Sequence, residues 1–185
     1  MCFFSGLNKK KIFVLKLDPK QTLLRHFGIP YITAPMEAEA QCAKLAQLGL
    51  VDGIITDDSD VFLFGGGQCF KNIFNDAKYV ECFLLADVER ELMLTRERLI
   101  SLAYFLGSDY TLGLPGVGPV MGLEILANFP GERGLYDFKE WWGRVQRGND
   151  TEEESGTKWR KSFKRRFLKS IYLTADWPDP LVVSF

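Results

Sequence analysis

Acidic residues are the groups best placed to carry chemistry in this chain. Glu37 and Glu39 stand two apart, Asp58 and Asp60 stand two apart behind Asp57, and Asp109 follows Leu106-Gly107-Ser108. Carboxylates drawn into one pocket repel one another, and several would have to protonate unless a cation compensated them. A divalent ion resolves that conflict. An oxygen-only ligand set suits a hard cation, magnesium or manganese, rather than zinc. The single histidine, His26, argues against a Ser-His-Asp triad, a His-rich zinc site and a histidine general base. Each acid taken alone also has a plain structural reading: Asp58 as a helix cap, Glu37 as a favourable charge in a helical first turn.

The elements that must position these acids read as follows. Asp18 as N-cap, Pro19 at the first helical position, an apolar stripe of Leu23, Leu24 and Phe27, and Gly28 as terminator predict a short helix. Pro30 to Thr33 reads as a strand, and a second helix opens at Pro35 and runs through Ala38, Cys42 and Leu45 to Gly49. Val51 to Thr56 reads as another strand, followed by strand-like runs at Val61 to Phe64, Cys69 to Phe74 and Tyr79 to Leu84. Strand, helix, strand at this spacing implies a βαβ unit, so the fold class is α/β with a parallel sheet flanked by helices. Ligands of such sheets sit beyond the carboxyl ends of the strands, where both acidic pairs fall. Residues two apart on a helix point about 200° apart. Glu39 is therefore the expected direct ligand, with Glu37 acting through water.

From Thr95 the pattern turns helical, with Leu99, Leu102, Ala103 and Leu106 on one face, and a second helix runs from Val120 to Phe129. Between them, Gly113-Leu114-Pro115-Gly116-Val117-Gly118-Pro119 suits an anion site, because glycines admit a phosphate close to the backbone and a helix start presents unpaired amides. Its alternative is a plain helix-turn-helix corner. Residues 147–157 read as an exposed linker. Beyond it, Trp159, Phe163, Phe167 and Ile171 recur every four residues among Lys and Arg, an amphipathic basic helix. Arg160, Lys161, Lys164, Arg165 and Arg166 are its candidate phosphate contacts, or else a solvated face.

A net charge of −1 hides segregation: residues 31–110 hold 13 acids against 6 bases, whereas residues 155–175 hold seven bases and no acid. That polarity implies an acidic pocket for cations beside a basic surface for polyanions. At 185 residues and 46% apolar content, the chain can bury a core without metal or disulfide staples, and the four cysteines are expected to be reduced thiols. No apolar run reaches the roughly 18 residues of a membrane helix, so no membrane partner is expected. Residues 1–17 do not read as a secretory signal, because Lys9 to Lys11 follow the apolar stretch instead of preceding it.

Three stretches, APMEAEAQCA (34–43), TDDSDVFLFG (56–65) and LGSDYTLGLPGVGPV (106–120), closely resemble the internal nuclease region of the XPG and flap endonuclease family. The resemblance implies a PIN-like α/β domain followed by a DNA-binding helical hairpin. It further implies a magnesium-dependent endonuclease of nucleotide excision repair that cuts DNA at junctions of single and double strands with two metal ions. By position, Glu37, Glu39, Asp58, Asp60 and Asp109 match the family's metal-site acids, while Asp57 matches an acidic position that is not a ligand. Gly116, Val117 and Gly118 fall in the hairpin that grips duplex DNA, where relatives also hold potassium through backbone carbonyls. A monomer in the nucleus, meeting excision-repair proteins, is what such a role implies.

The domain reading is an unplaced segment at 1–17, an α/β nuclease region at 18–94, the hairpin at 95–146, the linker at 147–157, and the basic helix with its tail at 158–185. The family's amino-terminal region supplies two further aspartates, and residues 1–17 contain no acid to match them. Five of seven acids are thus expected here, with weak or no cleavage by the chain alone. A non-catalytic DNA-binding module is the competing reading. A phosphatase with an Asp-x-Asp pair after a strand fits less well, because Val61-Phe62 replaces the small residues it needs and the hairpin has no place in it.

Overall fold

The computed structural model describes residues 2–3, 13–15, 20–73, 79–151 and 156–179. The chain forms two compact units, Met1–Leu99 and Ile100–Phe185. In the first, β1 (Cys2–Phe3) pairs antiparallel with β2 (Phe13–Leu15), and β2 pairs parallel with β3 (Tyr31–Thr33). Parallel neighbours need a crossover, and α1 (Lys20–His26) supplies it between β2 and β3. A second three-stranded sheet sets β4 (Ile54–Ile55) parallel to β5 (Gln68–Lys71) and β5 antiparallel to β6 (Glu81–Leu84), which leads into α3 (Leu85–Leu92). The α/β class expected from the sequence is the one observed.

Gly28 ends α1 with φ +64°, and the next amide, Ile29, donates to Leu24 O at 2.9 Å. The cap expected from Asp18 and Pro19 lies outside the described residues. The apolar stripe of α1 is only partly covered: Leu24 is half-buried, whereas Leu23 and Phe27 are exposed. The second helix, α2 (Ala38–Gln47), starts three residues later than Pro35, after an extended Glu37. Its buried Ala38, Cys42 and Leu45 share one face and, together with Ala43, join Ala34, Val51, Ile54, Val61 and Cys69 in a single core. Cys42 is disulfide-bonded, which corrects the expectation of four reduced thiols; it is a fully buried residue on a helix packed against β1 and β2. Cys69 and Cys82 are free.

Val61 to Phe64 is not a strand. It belongs to a tight 3-10 turn over Asp60–Phe62, in which Leu63 N donates to Asp60 O at 2.9 Å. Composition favoured a strand there, but the Asx turn closed by Asp58 overrides it.

The second unit holds most of α4 (Arg96–Leu106), then α5 (Pro119–Asn128), α6 (Gly134–Arg147) and α7 (Lys158–Phe167). Thr95 caps α4, with Arg98 N donating to its hydroxyl at 3.4 Å. The sequence reading passed over α6, although Leu135, Phe138, Trp141, Trp142 and Val145 all bury one face of it. These rings form the core with Phe105, Phe129, Phe163 and Phe167. Phe138 lies at its centre, 5.3 Å from Phe105, 5.5 Å from Phe129 and 5.9 Å from Phe163, each edge to face. Trp142 Nε1 and Gln146 Nε2 both donate to Ile171 O, at 3.1 and 2.6 Å, and so fix the chain after α7. Of the expected linker, Gly148 is the left-handed cap of α6, and residues 152–155 lie outside the described residues. No helix among the described residues is long and apolar enough to cross a membrane.

Phe138→Ala removes the ring at the centre of this cluster and should cost about 3–5 kcal/mol in chemical denaturation. A loss below about 1 kcal/mol would mean that the cluster does not hold the unit together.

Candidate functional site

Both acidic pairs of the first unit flank anchors of one core. Ala38 is buried between Glu37 and Glu39, and Val61, fully buried, follows Asp60. Glu37, Glu39 and Asp60 are each half-buried, and α2 packs on the turn that Asp60 begins. Glu37 is the N-cap residue of α2, with φ −91° and ψ 134°, so it stands outside the helix. The 200° separation expected of two helical side chains therefore does not apply to Glu37 and Glu39.

The segment after β4 is set by side chains bonding to their own backbone. Buried Thr56 accepts from Asp58 N at 3.1 Å, and Asp58 Oδ1 accepts from Asp60 N at 2.9 Å. Asp58 thus closes an Asx turn that leads into the 3-10 segment, whose N-cap is Ser59, and it is not the helix cap that its plain structural reading supposed. A carboxylate has two oxygens, and one bond leaves it able to accept more. Asp57 faces another way: its Oδ1 accepts from Asn72 N at 2.7 Å, where Asn72 adopts φ +63°.

The far end of the turn is clamped from two helices. Gln47 Nε2 of α2 donates to Phe64 O and Gly65 O at 3.0 and 3.3 Å, and Arg96 Nε of α4 donates to Leu63 O at 2.7 Å. Sequence reasoning missed both residues. Thr56, adjacent to the acids, was findable as a capping hydroxyl; Arg96, 33 residues from its partner, carried no local signal.

Among the described residues, no three His, Cys, Asp or Glu side chains gather closely enough to hold an ion. The donors are nonetheless the right kind for a hard divalent cation, being carboxylate oxygens with no thiol or imidazole among them.

Asp109 belongs to the second unit. It is exposed at the tip of a tight turn in which Ser108 N donates to Thr111 O at 2.8 Å. The loop then folds back on the end of α4. Gly113 has φ +67°, and a Cβ there would lie 2.4 Å from Gly107 N, so only glycine fits. Leu114 and Val117 anchor the loop by burial, and Val117 N donates to Leu114 O at 3.1 Å around Pro115 and Gly116. With Gly116 at φ +75° this is a type II turn. Gly118 is the N-cap of α5, and Pro119 opens the helix.

On α7 the structure divides the candidate cations. Lys164 Nζ pairs with Asp150 at 2.9 and 2.7 Å, and that carboxylate is 5% exposed. A buried carboxylate requires such a partner, so Lys164 serves the fold. The Arg160 guanidinium lies 4.8 Å from the Phe129 ring and 5.3 Å from Trp141. Lys161, Arg165 and Arg166 stay exposed, and Arg166 lies 5.0 Å over Phe167. Trp159 Nε1 donates to Glu124 Oε2 at 2.8 Å and ties α7 to α5.

Residues 28–109 match the model of the XPG I-region. The chain is 52% identical over 162 residues to DNA repair protein rad13 of Schizosaccharomyces pombe, covering 88% of this chain and 14% of that relative. It is 49% identical over 166 residues to DNA excision repair protein ERCC-5 of Mus musculus, again 88% of this chain and 14% of the relative. It therefore spans only a small part of the curated relatives it matches. The catalytic core of Rad2 in complex with DNA substrate superposes with a TM-score of 0.78 at 49% identity, over 88% of this chain and 51% of that one. The junction-resolving enzyme GEN-1 binding potassium gives 0.64 at 25% identity, over 93% and 45%. With its acids following β3 and β4 and a glycine hairpin joining α4 to α5, the chain belongs to the XPG and flap endonuclease family through its internal nuclease region.

Proposed function

We propose that this chain is the internal nuclease region of a structure-specific DNA endonuclease of nucleotide excision repair, which acts in the nucleus on junctions of single- and double-stranded DNA. The observation that carries the reading is the common anchoring of Glu37, Glu39 and Asp60 on one hydrophobic core through Ala38 and Val61. Glu39, Asp58, Asp60 and Asp109 are the direct ligands and Glu37 acts through water. Asp58 keeps its Oδ1 on the turn and offers its other oxygen. The chemistry supplied by two magnesium ions, or by manganese in their place, is an activated water and charge compensation at the attacking and leaving oxygens. No general-base histidine is then required.

The hairpin from Gly113 to Pro119 holds the phosphate backbone without reading bases, through Gly116, Val117, Gly118 and the first amides of α5. Potassium held by backbone carbonyls of that hairpin would add to its grip; the GEN-1 enzyme is a relative that binds this ion. Lys161 and Arg165 extend the track along α7. The protein acts as a monomer alongside other excision-repair proteins. The competing reading, a non-catalytic DNA-binding module, shares the hairpin and α7 and differs only in what the acids do.

Fluorescence anisotropy on a labelled junction oligonucleotide tests the DNA surface. Lys161→Ala and Arg165→Ala should each weaken binding on every sequence and lower the salt slope by about 1. Lys164→Ala should instead lower stability, and an unchanged slope in the Lys161 and Arg165 variants would remove α7 from the interface.

The purified chain should bind the junction yet cut it poorly in magnesium, and Asp58→Ala or Asp109→Ala should abolish any residual cutting while leaving affinity unchanged. Residual magnesium-dependent cutting that survives both substitutions would contradict the roles of these acids. Vigorous cutting by the unaltered chain would contradict its need for further acids.

A further inference from the structure

Leu112 is fully exposed, a large apolar side chain that nothing among the described residues covers. Single surface leucines are common, but this one does not stand on a loose loop. On one side of it Ser108 N donates to Thr111 O at 2.8 Å and Thr111 N donates to Ser108 O at 3.3 Å. On the other side Leu114 N donates to Phe105 O at 2.8 Å. The Leu112 carbonyl itself packs on the end of α4, where a Cβ added to Gly107 would stand 3.2 Å from it. Next to it Gly113, at φ +67° and pressed on Gly107, admits no side chain. The backbone is therefore clamped while the side chain is left in water, so little ordering of this loop remains to be done when a ligand arrives.

The position decides what that ligand would present. Asp109 precedes Leu112 by three residues and Gly116 follows it by four. Chain reach alone keeps Leu112 within about 11 Å of the first and about 14 Å of the second. Asp109 is assigned to the ion at the phosphate that is cut, and the hairpin from Gly116 to Gly118 to phosphates that are only held. DNA that reaches both must pass Leu112, and what lies between the phosphates of a strand is sugar. The 2′-carbon of a deoxyribose is a methylene, an apolar match for a leucine methyl.

We propose that Leu112 packs on a deoxyribose of the bound DNA and makes this loop select DNA over RNA at that nucleotide. A ribose in the same place would press its 2′-hydroxyl on a side chain that can neither donate nor accept a hydrogen bond. Insertion between bases is the other use of an exposed apolar side chain on DNA. It is disfavoured here because the elements on either side of Leu112 hold backbone and not bases. The inference rests on the reading of Asp109 and the hairpin as a DNA surface and adds to it the choice of sugar.

The test is fluorescence anisotropy of the full chain on a labelled all-DNA junction and on a series in which a single ribonucleotide replaces each deoxyribonucleotide in turn. For the unaltered chain the ribonucleotide should weaken binding by about threefold to tenfold at one or two neighbouring positions and nowhere else. Leu112→Ala should weaken binding of the all-DNA junction by about threefold to tenfold, with the salt slope unchanged because no phosphate contact is removed. In Leu112→Asn, whose amide can pair with the hydroxyl, the ribonucleotide penalty should fall below about twofold. Both substitutions are at a surface position and should leave the thermal midpoint where it was. Full affinity in Leu112→Ala, no position-specific penalty in the unaltered chain, or the same penalty in Leu112→Asn would overturn the role of Leu112 and leave the salt slopes of the Lys161 and Arg165 variants standing. Failure of the unaltered chain to bind any junction would instead overturn the DNA reading, and this inference with it.

Discussion

Mutual repulsion of carboxylates is the constraint on which the first unit turns. Two unit charges 5 Å apart at an effective dielectric of 20 repel by about 3 kcal/mol, so acids gather only where the fold forces them or a cation joins them. Here the forcing is hydrophobic: Ala38 and Val61 are buried in the same core, and the acids beside them are held near its rim. Local bonds then hold the second acidic segment in shape. Thr56 and Asp58 accept from the amides of Asp58 and Asp60, and Gln47 and Arg96 fasten the carbonyls at the other end of the turn. The backbone is fixed by Thr56, Asp58, Gln47 and Arg96, while the carboxylates do not close into an ion-sized group among the described residues.

The second unit solves a different problem, which is to present many cations on a helix while keeping that helix attached. Seven bases in residues 155–175 would repel one another if all were equally exposed. Phe163 and Phe167 are driven into the aromatic core, Lys164 is neutralised by nearly buried Asp150, and Arg160 lies over aromatic faces. The charges that remain wet are fewer than the sequence count, and they are the ones free to meet a polyanion. Long cationic side chains often divide in this way, with aliphatic stems covering apolar surface and heads in water.

Much of this was legible in the sequence where the signal was local. The α/β class, helices α1, α2, α4, α5 and α7, and the glycine hairpin all follow from short-range periodicity, caps and turn residues. The turn at Asp60–Phe62 was misread because Val61 to Phe64 has strand-like composition, and the Asx turn closed by Asp58 overrides it. The helix α6 carried a clear 3.6-residue period through Leu135, Phe138, Trp142 and Val145, yet the reading passed over it. The demotion of Lys164 could not be foreseen, because its partner Asp150 lies 14 residues away in what reads as a polar linker. Long-range pairings leave no periodicity behind, which is also why Arg96 escaped notice.

The central claim is that acids following β3 and β4 share one ion. Manganese titrated into the ¹⁵N-labelled chain, followed by paramagnetic broadening of backbone amides, tests it most directly. The account predicts that Ala38, Glu39 and the amides from Asp58 to Asp60 broaden together at the lowest manganese concentration. Broadening first at the acids of α3, Asp87, Glu89 and Glu91, or evenly over every exposed carboxylate, would contradict it.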